Sequence, residues 1–99
     1  MVIPPIYIVN FKNIERKNRI IKRFSNFGII PKFVKEIDFT DNRVVNYKIN
    51  NEVKRNWCVM LQHLDSINHF YNNTNENFCI ICEDDIHISK NFWRDLPNI

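Results

Sequence analysis

The sequence predicts an α/β fold with a mostly parallel sheet of three to four strands and flanking helices. Two features of its 99 residues point that way. Short runs of β-branched and aromatic residues alternate with longer segments whose apolar residues recur at helical spacing. The first strand, helix and strand also fit within about 33 residues, the span of a right-handed βαβ unit.

Each element has its own signal. Ile6-Tyr7-Ile8-Val9 follows Pro4-Pro5 and reads as a buried strand. Asn10-Phe11-Lys12 makes a loop, and Asn13 is a good helix N-cap with Glu15 in the first turn. Ile14, Ile20, Ile21, Phe24 and Phe27 keep helical spacing, and Lys22 and Arg23 suit the last turn. Gly28, the only glycine, fits the left-handed position after that helix, with Ile29 as the apolar contact beyond it. Pro31 opens a second strand, Lys32 to Ile37, which ends at Asp38. Arg43 to Ile49 suits either a short strand or an irregular arm. Asn50 or Asn51 caps a second helix whose apolar face carries Trp57, Met60, Leu61, Leu64 and Ile67. Asn72 to Asn77 is a polar turn before the strand that ends in Glu83-Asp84-Asp85. Ser89 fits the cap of a last helix through Phe92, Trp93 and Leu96.

The chain is long enough for one small domain. A net charge of +3 is too small to argue nucleic-acid binding and suits an anionic small ligand. No stretch approaches the ~18 apolar residues of a membrane span, and no signal peptide is visible, so the expected location is cytoplasmic. The three cysteines, Cys58, Cys79 and Cys82, fit free thiols in a reducing compartment. Cys79 and Cys82 have the spacing of a zinc or redox pair, but residues three apart on a strand face opposite sides.

Three adjacent acids repel one another, and folding alone gives no reason to gather them. A divalent cation, Mg²⁺ or Mn²⁺ held against a phosphate, gives one. Alternation along the strand points Glu83 and Asp85 to one side and Asp84 to the other. The competing reading is a solvated acidic turn.

The order of these pieces resembles glycosyltransferase family 25, which includes lipopolysaccharide and procollagen galactosyltransferases. Tyr7-Ile8-Val9-Asn10 is similar to the family's opening strand, and Glu15-Arg16 to its early Glu-Arg pair. Ile37-Asp38 sits where the family's second strand ends. Trp57 to His63 resembles its Gly-Cys-x-x-Ser-His helix, with Trp57 in place of the glycine and Gln62 in place of the serine. Ile81 to Asp85 resembles its Leu-Glu-Asp-Asp motif. The resemblance covers nearly the whole chain but only the N-terminal part of a family domain. It implies a partial GT-A, Rossmann-like domain that forms the donor-binding half. The family's catalytic carboxylate lies further on, so no catalytic residue is assigned, and Asp95 is a poor candidate for the base.

The resemblance implies a UDP-sugar donor and transfer of a hexose, with inversion, to a hydroxyl of a saccharide or hydroxylysine-type acceptor. Glu83 and Asp85 are the expected metal ligands. Asn10, Arg16, His63 and Asp84 are the expected nucleotide-sugar contacts. Each has a plainer reading: Asn10 as a turn residue, Arg16 as one of several exposed charges, His63 as a structural histidine. His87, two residues past the acids, either approaches the metal or is simply exposed. A non-catalytic remnant or subunit that needs a partner chain is the alternative, with self-association expected of an incomplete sheet. A metal-dependent nuclease or phosphatase ranks last.

Overall fold

The computed structural model describes residues 3–89 and Asn91. The helix expected after Ser89, with Phe92, Trp93, Asp95 and Leu96, lies outside the described residues. Within them the order is β1 (Ile6–Val9), α1 (Ile14–Ser25), α2 (Asn42–Val45), α3 (Asn51–Asn73) and β2 (Ile80–Glu83). The chain is mixed α/β, with β1 and β2 paired in parallel from Ile6 opposite Ile80 to Val9 opposite Glu83.

β1 is buried along its whole length, and both of its faces are covered. Ile6 and Ile8 pack with Ile20 and Phe24 of α1. Tyr7 and Val9 face the other way. The Tyr7 hydroxyl meets Nδ1 of His69 on α3 at 2.7 Å, and Val9 lines a cleft with α3 side chains. A strand between two helical layers reads as a continuous apolar run, as this one does.

The sheet has two strands among the described residues, not the three to four expected. The segment after Pro31 pairs with the free side of β1 through the Lys32 backbone alone. Ile8 N–H donates to the Lys32 carbonyl, and Lys32 N–H to the Ile6 carbonyl, both at 2.8 Å. It then leaves the sheet. Phe33 packs on the α1 side, while Ile37 joins Val44, Cys58 and Leu61 on the α3 side. In a straight strand those two residues would share a face. The Ile37 amide donates to Oε1 of buried Gln62 instead of to a neighbouring strand.

The helix ends follow their caps. Asn13 Oδ1 accepts from the Arg16 amide, and Asn50 Oδ1 from the Val53 amide. Gly28 has φ +72°, Ile29 N–H reaches back to the Phe24 carbonyl, and Gly28 N–H to that of Ser25. Those two bonds form the Schellman pattern. The segment left open as strand or arm contains a single helical turn, α2, capped by Asp41. Arg43 ties that turn to α3 through both oxygens of Asp65, at 2.9 and 3.1 Å.

The buried face of α3 differs from the expected one. Cys58, Leu61, Gln62 and Ser66 face inward, whereas Met60, Leu64 and Ile67 are about half exposed. The more hydrophobic side of the helix looks outward.

Candidate functional site

Loops following the C-terminal ends of parallel strands are where ligands bind in open α/β sheets. Here a cleft of about 590 Å³ lies at that edge. Val9 forms its floor, Arg16 of α1 one wall, and Arg55, Val59 and His63 of α3 the other, with Glu83 and Asp84 at the end of β2.

Asp84 is the anchor. It is buried, as is Asn10, and the Asn10 carboxamide donates to Asp84 Oδ2 at 2.7 Å and to the Asn13 carbonyl at 2.8 Å. Arg16 lies 3.5 Å from the other Asp84 oxygen, with its guanidinium half exposed in the cleft. A buried carboxylate requires such partners. Gln62 holds the frame from below: its Nε2 donates to the Asn10 carbonyl at 2.8 Å. The residue that stands where the resembled family has serine therefore braces the loop that carries Asn10.

The acid triplet does not act as one cluster. β2 ends at Glu83, and Asp84 and Asp85 form a turn, so strand alternation stops there. Glu83 faces the main cleft, with its carboxylate 4.0 Å from His63 Nε2. Asp85 lines an adjoining pocket of about 170 Å³ with Arg19, Arg23 and His87, which shares Arg16 and Asp84 with the main cleft. Arg23 in that pocket donates to the Ile86 carbonyl at 2.8 Å. Among the described residues no three His, Cys, Asp or Glu side chains are gathered to hold a metal ion. Mg²⁺ and Mn²⁺ do not require three, because one or two carboxylates suffice when substrate phosphates and water complete the shell. Glu83, more than half exposed, and Asp85, also exposed, have oxygens available, whereas Asp84 is committed to Asn10 and Arg16.

The structure thus brings Arg16, His63, Glu83 and Asp84 to one cleft, with Asn10 directly behind it, and leaves Asp85 on its flank. Sequence reasoning missed Glu52, Arg55 and Asn56, which line the same cleft. Their signal was spacing: 52, 56, 59 and 63, like 55, 59 and 63, recur every three or four residues and share a side of the helix. Arg55 makes no ion pair among the described residues.

The three thiols are free. Burial raises all three, Cys82 to about 11.

Comparison with protein-family models, curated proteins and solved structures finds no match to this chain. The class defined by fold and site is a mixed α/β protein with an arginine- and carboxylate-lined cleft at its strand ends. No helix among the described residues is long and apolar enough to cross a membrane.

Proposed function

We propose that this cleft binds the diphosphate of a UDP-sugar, in a partial GT-A, Rossmann-like domain similar to glycosyltransferase family 25. Its reaction would be hexose transfer to a hydroxyl of a saccharide or hydroxylysine-type acceptor. One observation carries the reading: Arg16 and Arg55 stand with Glu83 and Asp84 at the C-terminal ends of two parallel strands. Guanidinium groups offer paired N–H donors that match phosphate oxygens. Asp84 orients Arg16, and Asn10 fixes Asp84, so that donor is set before a ligand arrives. His63, beside Glu83, lines the same cleft and would contact the sugar. Bound Mn²⁺ or Mg²⁺ would offset charge on the departing diphosphate, held by Glu83 in the cleft, with Asp85 of the adjoining pocket as the second carboxylate where the two spaces meet.

Calorimetric titration with UDP and UDP-hexoses, with Mn²⁺ and in EDTA, tests the reading. Binding is expected to need the metal, because phosphate beside bare carboxylates is repelled. Arg16→Ala and Arg55→Ala should each weaken it about tenfold, ~1.4 kcal/mol. Glu83→Gln and Asp85→Asn should remove the metal-dependent part. Equal binding in EDTA rejects the metal, and no UDP binding under either condition rejects the reading.

A second reading is a nucleotide-sugar-binding subunit that acts only with a partner chain. The exposed apolar side of α3 favours it. Mass spectrometry after incubation with UDP-galactose or UDP-glucose and acceptor separates the two: a gain of one hexose supports transfer by this chain itself.

A further inference from the structure

The outward side of α3 has a regular pattern. Val53, Trp57, Met60, Leu64, Ile67 and Tyr71 are spaced by four, three, four, three and four residues. That is the a/d seam of a heptad repeat, sustained over nineteen positions of one helix. An isolated surface helix packed on a core shows a wider stripe that faces inward. Here the inward side is Cys58, Leu61, Gln62 and Ser66, and the heptad row is separate from it. Val53, Met60, Leu64, Ile67 and Tyr71 are between 41% and 82% exposed, whereas Trp57 is mostly covered, stacked on Tyr47 at 4.9 Å between ring centres and packed against the cluster of Ile37, Val44, Cys58 and Leu61.

We propose that this row is the interface of a homodimer, in which α3 of a second copy lies antiparallel against it. Size permits this. The exposed side chains of the row present roughly 500 Å² per copy, so complete burial of both rows would reach about 1,000 Å², the threshold for a specific interface, with flanking residues adding to it. The row also pairs well with its own reverse. Centred on residue 62, it sets Met60 against Leu64 of the second copy, Trp57 against its Ile67, and Val53 against its Tyr71. The two outer contacts join a larger with a smaller side chain, and the central one joins two of similar size. A parallel pair would instead set Trp57 on Trp57 and Tyr71 on Tyr71. Charge agrees with the antiparallel choice. α3 has Glu52 in its first turn and no basic residue in its last. Antiparallel packing sets the amino end of each α3 beside the carbonyl end of the other, and those ends carry opposite partial charges. Tyr71, 82% exposed at one end of the row, suits the aromatic anchors that dominate interfaces.

Sedimentation equilibrium of the chain at about 100 μM tests the interface. The expected mass is twice the 12.0 kDa of one chain. Leu64→Glu and, separately, Tyr71→Glu should each weaken the dimer at least tenfold while circular dichroism stays helical. Tyr71 is too exposed for its loss to unfold a monomer, so that variant reads the interface even if Leu64→Glu disturbs the fold. A wild-type monomer at that concentration, or a dimer that survives the folded variant, overturns the proposal. Orientation is read by oxidising a mixture of Met60→Cys and Leu64→Cys chains and mapping the crosslinked peptides. A 60-to-64 link is expected, and 64-to-64 links in its place overturn the antiparallel arrangement.

Discussion

Asn10 and Gln62 show how a few hydrogen bonds hold the cleft. Asn10 gives its two amide protons to the Asn13 carbonyl and to Asp84. Gln62, buried on α3, takes the Ile37 amide and donates to the Asn10 carbonyl. Gln62→Leu keeps the volume but strands two buried backbone groups. It should destabilise the chain by about 2–4 kcal/mol in urea denaturation, with UDP binding weakened because Asn10 loses its brace. A second residue-scale expectation concerns Cys82. Its thiol is raised by burial from an ordinary 9.0 to about 11. Between pH 9 and 11 the unfolded chain gives up that proton and the folded chain keeps it. Stability is therefore fully present below pH 9 and falls through this window. Iodoacetamide at pH 8 should label Cys82 far more slowly in the folded protein than in urea, and thermal melts should drop between pH 9 and 11. A flat melting profile there would contradict the burial of this thiol.

At the scale of elements, the caps and the inward side of α1, Ile20 and Phe24, were legible, and the packing face of α3 was not. Asn13, Asn50 and Gly28 act through their nearest neighbours in sequence, so their roles follow from local chemistry. Gly28→Ala should cost about 1 kcal/mol. No atom would meet the new Cβ within 4 Å, so the whole cost is the strain of φ +72°. Gly28→Asn should cost less, and the comparison by thermal melting separates backbone strain from crowding. α3 misled because its most hydrophobic row is not its buried one. Cys58, Gln62 and Ser66 are small or polar, and only their partners make them core: Ile37 and Val44 beside the cysteine, backbone groups around the glutamine. The second strand failed for a related reason. Lys32 to Ile37 has strand composition, but Gln62, twenty-five residues away, takes the Ile37 amide that a ladder would need. Such pairings have no local trace in sequence.

For the whole molecule, the α/β class and a parallel sheet were readable from the apolar runs, but not the pairing: the unit expected to set β1 beside Lys32 to Ile37 makes one bridge, and β1 pairs with β2 instead. The location of the cleft was readable too, because one of those runs ends in acids. The division of labour among the acids was not. It depends on β2 stopping at Glu83, which turns Asp84 inward to Asn10 and leaves Asp85 on the flank. The contribution of Arg55 was hidden because a cleft needs two walls, and the second comes from a helix whose orientation hydrophobicity misassigned.

The pairing of Asn10 with Asp84 has a consequence for dynamics. It spans seventy-four positions of chain, and the cleft walls likewise come from segments far apart in sequence. A molecule seated between Arg16, Arg55 and Glu83 would act as a reversible staple across the fold. Opening of β2 then requires release of the ligand, and the two equilibria are linked by mass action. At a hundredfold excess over Kd the ligand should add about 2.7 kcal/mol to global stability. Amide hydrogen exchange should register this first at Ile80 to Glu83, whose protection would rise with ligand while Asn73 to Asn77 stays fast. Unchanged exchange in β2 at saturating UDP and Mn²⁺ would place the ligand elsewhere on the protein.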